Sequence, residues 1–407
     1  MSVGLSRRRT AAVFLAFAFA YLFSALVRAV TATLAPTFSV ELGLTAAQLG
    51  LLAGAYFLGF SLMQLPLGTA LDRFGPRRVL LAFLAVAVLG CLAFALATGL
   101  PQLLLARLLI GAGVSACLMA PLTCFRRLFS PAAQLRANSW MLMTGSLGMF
   151  VAVAGALLLA MAGIRWLVPA DVPADAPACA PAGGPRRGSA PAPAGYRQVF
   201  AHPVFRRLAP AGFVSYGGMI AMQSLWIGPW LTQVGGYTAS QAAAGLFGVN
   251  LATLLAFLTW GLVMPRLIRA GWAGERLIAR AWPAGPLCLL WILLLGPEAH
   301  PAHWALWCVC TSVVSLSQPA VGQAFEAGLA GRALSAYNLM IFAGVFALQW
   351  GIGLAIDAAQ AAGAPAPLAF RLAFGGFGLA TVAAFAWLNL GRRPVPPGPS
   401  QPAHAQR

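Results

Sequence analysis

The sequence predicts an all-α, polytopic membrane protein: a two-half bundle of eleven transmembrane helices, arranged as five plus six. Its 407 residues are 60% hydrophobic and only 8% charged, whereas a soluble domain carries about 25% charged residues. Apolar runs of about 20 residues, long enough to cross a ~30 Å hydrocarbon core, recur along the chain. The arginines gather in alternate loops between these runs, which is the pattern that orients membrane helices.

The apolar runs form two groups, separated by a stretch rich in Pro and Ala. Pro and Gly inside the runs are compatible with membrane helices, because neighbouring helices satisfy the freed backbone groups. Five runs precede the stretch and six follow it, at roughly 11–34, 46–70, 78–98, 101–123, 139–163, 208–232, 241–264, 281–297, 303–325, 334–356 and 368–390.

This grouping divides the chain into four parts. We predict a first transmembrane half over 1–166, an irregular and poorly ordered linker over 167–205, a second transmembrane half over 206–392, and a disordered cytoplasmic tail over 393–407. The linker has no apolar run and contains many Pro and Ala residues, so it cannot form an ordinary membrane span.

The loop charges create a conflict about how often the chain crosses the membrane. Arginines precede the first run, follow the second and the eleventh, and lie between the fourth and fifth, seventh and eighth, and ninth and tenth runs. This places the N-terminus and these loops in the cytoplasm. Five spans would leave Trp166 outside, yet the arginines just before residue 208 place that residue inside. Twelve crossings are therefore predicted from eleven helices.

Two routes resolve the conflict. The second half could insert upside down, against the loop-charge rule. Alternatively the linker itself runs from one face to the other; about forty residues reach ~130 Å, far more than the membrane core requires. The cost of that route is irregular backbone in lipid, unless the strand is buried against the bundle.

Several functions find no support in the sequence. The net charge of +18 follows from topogenic arginines, so we expect no nucleic-acid partner. The seven cysteines have no framework spacing and are expected as free thiols. We find no catalytic constellation, metal-ligand cluster or cofactor motif, and therefore predict neither an enzyme nor a metal or cofactor site. The expected partners are the lipid bilayer and a small-molecule solute, and we expect a monomer.

The segment GTALDRFGPRR at 68–78 resembles the cytoplasmic loop signature of the major facilitator superfamily. A second segment, RLLIGAG at 107–113, is similar to the superfamily's fourth-helix motif, whereas the Pro-containing motif of its drug/proton antiporters is absent from the fifth run. The residues that carry the loop resemblance are Gly68, Asp72, Arg73, Gly75, Arg77 and Arg78.

The resemblance implies two six-helix halves that work as a permease. Against that arrangement the sixth helix is missing, and the gap lies between Trp166 and Leu167. We expect the other helices to keep the twelve-helix arrangement with one position vacant. The resemblance further implies that Asp72 latches the cytoplasmic side closed, either by pairing with a cation or by lying against the positive N-terminus of a helix of the other half. The alternative is a charged turn that only sets topology.

Intramembrane charge marks the predicted solute pathway. Tyr21, Ser24 and Arg28 share one face of the first helix by their helical spacing, and Arg107 lies within the fourth run. The alternative for either arginine is a structural pairing with backbone carbonyls of a neighbouring helix. All eight acids fall in loops or at helix ends. A positive cavity without carboxylates favours an anionic or zwitterionic solute.

A second polar face follows the linker. Tyr216, Gln223 and Trp226 share this face, and we assign it to the pathway as the counterpart of the Arg28 face. The alternative for Trp226 and Trp230 is an interfacial aromatic belt. Other intramembrane amides are as compatible with helix–helix contacts as with a ligand; those we include in the pathway are Gln64, Asn250, Gln318 and Asn338.

The sequence thus predicts a permease of the bacterial inner membrane, with many spans and a cytoplasmic N-terminus. It would move a small anionic or zwitterionic organic solute by alternating access. The alternative is an inactive, non-transporting derivative, because one helix is missing.

Overall fold

The computed structural model of the chain describes residues 11–25, 27–28, 42–128, 141, 195–270, 274–325 and 327–390. Helices and turns account for nearly all of these residues, and no strand occurs among them. The helices of the first half are α1 (Ala11–Ala25), α2 (Ala46–Leu62), α3 (Gln64–Phe74), α4 (Pro76–Ala95), α5 (Leu100–Val114) and α6 (Ala116–Leu128).

The second half contains longer helices and several local changes of helical pitch. One-turn π segments, Ala211–Tyr216 and Met222–Trp226, join three helices into one run, and a 3-10 turn at Ser312–Leu316 joins another pair. The helices are α7 (Tyr196–Ala201), α8 (Pro203–Pro210), α9 (Gly217–Ala221), α10 (Ile227–Gln233), α11 (Ala239–Arg269), α12 (Gly274–Ala281), α13 (Ala284–Leu295), α14 (Pro301–Thr311), α15 (Ser317–Gln323), α16 (Ala327–Ala361) and α17 (Ala366–Leu390).

Eight helices in the described part of the chain are long and apolar enough to cross a membrane. Their outward side chains are apolar: Leu96, Leu262 and Leu390 are 79%, 73% and 85% exposed, as expected for surface that faces lipid. Nine of the eleven predicted runs fall wholly on described residues and the first, 11–34, in part, and these residues are mostly helical. The fifth run, 139–163, lies outside the described residues except for Met141, which is helical.

The predicted irregular linker is wrong over its last residues. Residues 196–201 and 203–205 belong to helices α7 and α8. Pro203 begins α8, where its missing N–H costs no intrahelical bond. Val199 and Phe205 are buried, and the Phe205 ring packs edge-on against Tyr337 at 6.0 Å. Two apolar anchors therefore hold short helices onto the bundle. Residues 167–194 and the predicted tail 393–407 lie outside the described residues.

Helices α2 and α16 approach each other closely across the two halves, because glycines line their contact. A Cβ added at Gly50 would overlap the carbonyl oxygen of Gln349, and one at Gly353 would overlap that of Ala46. A Cβ at Gly54 would lie 2.9 Å from the Phe346 ring. Small residues allow such backbone approach between membrane helices, so this pair forms the main seam between the halves.

Hydrogen bonds at both ends of this seam fix the relative orientation of the halves. The first backbone N–H groups of α2 donate to the Asp357 carboxylate. Both groups lie next to arginine-poor loops, since one such loop precedes α2 and another follows Asp357. Towards the arginine-rich face, the Tyr196 hydroxyl donates to the Leu65 carbonyl at 3.1 Å. The arginine-rich ends of both halves therefore lie on one side of the described bundle, an arrangement that disagrees with an inverted second half.

Candidate functional site

Arg107 lies inside the first half with almost no exposure. Its side chain is 3% exposed, its Nη1 donates to the Val27 carbonyl at 3.2 Å, and its guanidinium carbon lies 5.5 Å from the centre of the Phe94 ring. The side chain thus connects α5 to the segment after α1. This is the structural pairing with a backbone carbonyl that the sequence left as an alternative.

Arg28 lies next to Val27 but has a different environment. The side chain is only half-buried, yet its Nε is buried and has no hydrogen-bond partner among the described residues. Four acidic residues lie in the described helices and turns, and all are at or near helix ends: Asp72, Glu275, Glu298 and Asp357. A cation in the bundle with an unused donor is a group that can receive an anion.

Tyr56 lies near both arginines and was missed by the sequence analysis. It is 2% exposed, its hydroxyl donates to the Ser24 carbonyl at 3.4 Å, and it interacts electrostatically with Arg28 and Arg107. A single phenol inside the apolar stretch GAYFLGF was the available signal. Tyr56 therefore holds the Ser24 turn of α1 in place beside the arginines.

The two predicted polar faces meet across the halves. Tyr216 of the second half interacts electrostatically with Tyr21 and Arg28 of the first. Tyr21 and Tyr216 are both half-buried, whereas Ser24 is 1% exposed. Tyr21, Arg28 and Tyr216 are therefore near enough to interact electrostatically, whereas Ser24 is buried in the helix packing.

Gln223 belongs to a polar cluster within the second half. Its Nε2 donates to Thr253 Oγ1 at 2.8 Å and to Asn250 Oδ1 at 3.4 Å. The Asn250 amide in turn donates to the Leu246 carbonyl at 3.0 Å. Thr253 was not singled out by the sequence, because a threonine in an apolar run usually bonds back to its own helix. The cluster joins α11 to the π segment that carries Gln223.

The other predicted amides form helix contacts. Gln318 Nε2 donates to Asn338 Oδ1 at 2.7 Å, and Asn338 Nδ2 lies 4.0 Å from Sδ of Met119 in the first half. Gln64 is fully buried; its Nε2 donates to the Phe60 carbonyl at 3.4 Å, while its Oε1 has no partner in the described part of the chain.

Trp226 and Trp230 lie in the interior of the second half. They are 1% and 0% exposed, and Trp230 packs against Trp304 and Phe374 at 5.6 and 5.1 Å. The interfacial aromatic belt, which the sequence left open for both residues, is therefore wrong. The Trp226 ring packs edge-on against Phe370 at 6.2 Å, so this predicted pathway residue lies in an aromatic core.

The loop motif at 68–78 spans the end of α3, a tight turn at Gly75 and the first residues of α4. Gly75 has φ 80° and ψ 158°, a backbone conformation that favours glycine. Pro76 then begins α4. A Cβ at Gly68 would lie 2.9 Å from the Tyr196 hydroxyl, so this glycine permits a contact with the second half.

The charged residues of the motif lie at its surface. Arg73 and Arg78 are exposed and Arg77 is half-buried; the Arg73 guanidinium lies 5.2 Å from the centre of the Phe74 ring. Asp72 is placed in α3, but its side chain lies outside the described ones, so the predicted cytoplasmic latch remains a prediction.

The second motif is a packing motif in this structure. A Cβ at Gly111 would overlap the Tyr56 carbonyl of α2, and one at Gly113 would overlap the backbone of Ala87 in α4. The two glycines therefore let α5 approach both neighbours, which in turn fixes Arg107 between α1 and α4.

Solved structures similar to this chain are membrane transporters. A bacterial homologue of the human lysosomal transporter Spinster, inward-facing and unoccupied, has a TM-score of 0.65 and 17% identity, over 95% of this chain and 96% of that chain. The transporter FucP in the outward conformation has a TM-score of 0.61 and 14% identity, over 93% and 98%. A D-xylose–proton symporter has a TM-score of 0.71 and 12% identity, over 93% and 97%.

These identities show a shared fold and nothing about the solute. No curated protein matches the chain. The sequence pattern of the Major Facilitator Superfamily matches residues 17–349, which cover most of both halves and contain the loop motif, Arg28 and Arg107. The chain therefore belongs to the Major Facilitator Superfamily of membrane transporters.

Proposed function

We propose that this transporter moves a small anionic or zwitterionic organic solute by alternating access of its two halves. The observation that carries the proposal is the Arg28 guanidinium, whose buried Nε has no acceptor among the described residues. A charged group inside a membrane bundle is costly unless it has a partner or a function. An anionic group of the solute would supply the partner that Nε of Arg28 lacks among the described residues.

The surrounding residues suit the binding of such a solute. The phenols of Tyr21 and Tyr216, one from each half, interact electrostatically. Both can donate hydrogen bonds to a carboxylate, sulfonate or phosphate. Because these groups belong to different halves, a solute bound between them would contact both. Relative motion of the halves would then expose it to one face at a time.

Arg107 supports this site without binding the solute. Its hydrogen bond to the Val27 carbonyl and its position over the Phe94 ring hold the backbone next to Arg28. The second positive charge also raises the electrostatic potential at the site, which favours an anion.

We further propose that the protein is a monomer in the bacterial inner membrane with a cytoplasmic N-terminus, and that it carries out no enzymatic reaction. The arginine distribution supports this orientation, because loops rich in arginine remain in the cytoplasm. The parallel arrangement of the arginine-rich ends of both halves agrees with it.

A ligand screen by thermal unfolding tests the proposal. Purified protein in detergent is heated with millimolar lactate, succinate, glutamate, taurine, choline or xylose, and unfolding is followed by tryptophan fluorescence. A ligand that binds only the folded state raises the melting temperature. We expect stabilisation by one or more of the anions and zwitterions in the parent, and its loss in Arg28→Gln.

The control is Arg276→Gln, which removes an exposed arginine of α12 and should keep the stabilisation. Stabilisation by choline or xylose alone would contradict the proposed charge of the solute. Equal stabilisation of the parent and Arg28→Gln would remove Arg28 from the site.

A further inference from the structure

A carboxylate of the second half lies on the N-terminus of a helix of the first half. The backbone N–H of Ala46 donates to Asp357 Oδ1 at 3.0 Å, and that of Ala47 donates to Asp357 Oδ2 at 2.9 Å. Both carboxylate oxygens are therefore used, each by a different residue of the first turn of α2. Asp357 is half-buried near the end of α16.

These bonds complete the hydrogen bonding of the α2 N-terminus. The first N–H groups of a helix have no partner within the helix. Thr45 and Gln48 cap one another, with Gln48 N donating to Thr45 Oγ1 at 3.3 Å and Thr45 N to Gln48 Oε1 at 3.0 Å. The remaining donors, Ala46 and Ala47, receive their acceptor from the other half of the protein. The positive end of the helix dipole further favours the carboxylate there.

The contact lies at the arginine-poor mouth of the seam between α2 and α16. Directly below it, Gly50 of α2 packs against the backbone of Gln349, and Gly353 of α16 packs against that of Ala46. Ala53, one turn further in, is 2% exposed and belongs to an apolar cluster that includes Ile352. The two backbones are in contact at these glycines, so a solute can pass between α2 and α16 only if the helices part.

We propose that Asp357 is the gating residue of the arginine-poor mouth: its carboxylate holds α2 against α16 and must leave the α2 N-terminus when that side opens. The proposal rests on the alternating access argued above. It gives Asp357 the role that the superfamily resemblance implied for Asp72 at the opposite face, since both would be carboxylates that join one half to a helix N-terminus of the other.

The chemistry of the contact makes an amide a sharp probe. Asp357→Asn keeps the shape of the side chain but removes its charge, and one of the two acceptor oxygens becomes an NH₂ group facing a backbone N–H. Hydrogen bonds to a charged group are about twice as strong as those between neutral groups. The closed state should therefore lose stability relative to states open at this mouth.

The test measures access to a single cysteine introduced as Ala53→Cys, in a chain whose seven native cysteines are replaced by Ser or Ala. A membrane-impermeant maleimide is added from the arginine-poor side, and the labelling rate is compared between this parent and its Asp357→Asn variant. We expect labelling to become about tenfold faster, the shift that loss of a charged hydrogen bond produces in a two-state equilibrium. The matched control is Glu298→Gln, an exposed acid on the same face, which should leave the rate unchanged.

Labelling that stays at the parent rate in Asp357→Asn, in protein that remains monodisperse, would overturn the gating role. So would an equal acceleration in Glu298→Gln, because the effect would then follow from charge alone. The measurement requires no solute. Absence of transport would therefore count against the proposed function and leave the gating result intact, whereas an unchanged labelling rate would count against the gate alone.

Discussion

Arg28 and Arg107 meet at Val27 but differ in what their guanidinium groups contact. A carbonyl accepts from Nη1 of Arg107 and the Phe94 ring lies near its guanidinium, two contacts that Arg28 lacks within the described residues; Nε of both arginines is buried there without a partner. From this difference we propose a positioning role for Arg107 and a binding role for Arg28. The difference also predicts that replacement by lysine affects transport at Arg28 and stability at Arg107.

At Arg28 we expect the substitution to affect the solute and leave the fold intact. Arg28→Ala should abolish transport with normal membrane insertion, because the counter-charge is gone. Arg28→Lys should retain part of it, since the charge survives but the two-pronged donor does not. Uptake into proteoliposomes and the amount of inserted protein are the measurements. Full activity of Arg28→Ala would exclude Arg28 from the site.

At Arg107 we expect the substitution to affect stability. Arg107→Lys loses the planar group that stacks on Phe94 and bonds to Val27, at a cost of about 1–3 kcal/mol for a buried charged hydrogen bond. The melting temperature should fall, while the preference for anions over cations in the ligand screen persists. A stable variant that binds cations equally well would show that Arg107 contacts the solute.

The sequence predicted the intramembrane arginines but could not separate their roles. Arg107 finds a main-chain carbonyl at Val27, and every residue carries such a group, so nothing in the sequence marks it as the acceptor. Trp226 shows the same limit: its helical spacing matched the Arg28 face, yet packing against Phe370 takes it into an aromatic core. Helical periodicity places residues on a face but does not reveal which neighbour covers that face.

The helices themselves were largely predictable because apolar runs define them. The run predicted at 78–98 is helix Pro76–Ala95, and the one at 368–390 is Ala366–Leu390. The π segments at Ala211–Tyr216 and Met222–Trp226 were not predicted, since one extra residue in a turn leaves the apolar pattern almost unchanged. They alter which residues face the first half, and therefore where Tyr216 and Gln223 point.

The close packing of α5 on α2 predicts that a single methyl group added at Gly111 lowers the stability of the protein. Gly111→Ala would place a Cβ onto the Tyr56 carbonyl, and overpacking of this kind costs about 1–3 kcal/mol. Thermal unfolding in detergent should show a lower melting temperature. Gly375→Ala is the control, because nothing lies within 4 Å of its added Cβ. Equal melting temperatures for the two variants would contradict the close approach of α5 and α2.

For the whole molecule, the two halves face the same way, with their arginine-rich ends together. Helix α7 begins on the arginine-rich side at Tyr196, and the hydroxyl of this residue donates to the Leu65 carbonyl. If the predicted span at 139–163 crosses the membrane, the chain returns across it between 164 and 195. The loop charges predict this extra crossing, which lies outside the described residues and stays a prediction. Sequence alone could not decide between this route and an inverted second half, because the linker is long enough for either.

Cysteine labelling in intact cells checks that crossing. Trp166→Cys and Arg197→Cys, each in the cysteine-free chain, are treated with an impermeant maleimide from outside. We expect labelling at 166 and protection at 197, with Arg276→Cys as a protected control on the arginine-rich face. Labelling of 166 and 197 to the same extent would mean that the chain does not cross between them.

Transport itself is the most direct measurement of the central claim, that Arg28 receives the negative charge of a solute carried between the two halves. Proteoliposomes are given radiolabelled lactate, succinate, glutamate, taurine, choline or xylose in turn, and uptake is measured for the parent, Arg28→Ala and Arg276→Gln. The account predicts uptake of one or more anions or zwitterions by the parent and by Arg276→Gln, and none by Arg28→Ala. Uptake confined to choline or xylose, or undiminished uptake by Arg28→Ala, would contradict it.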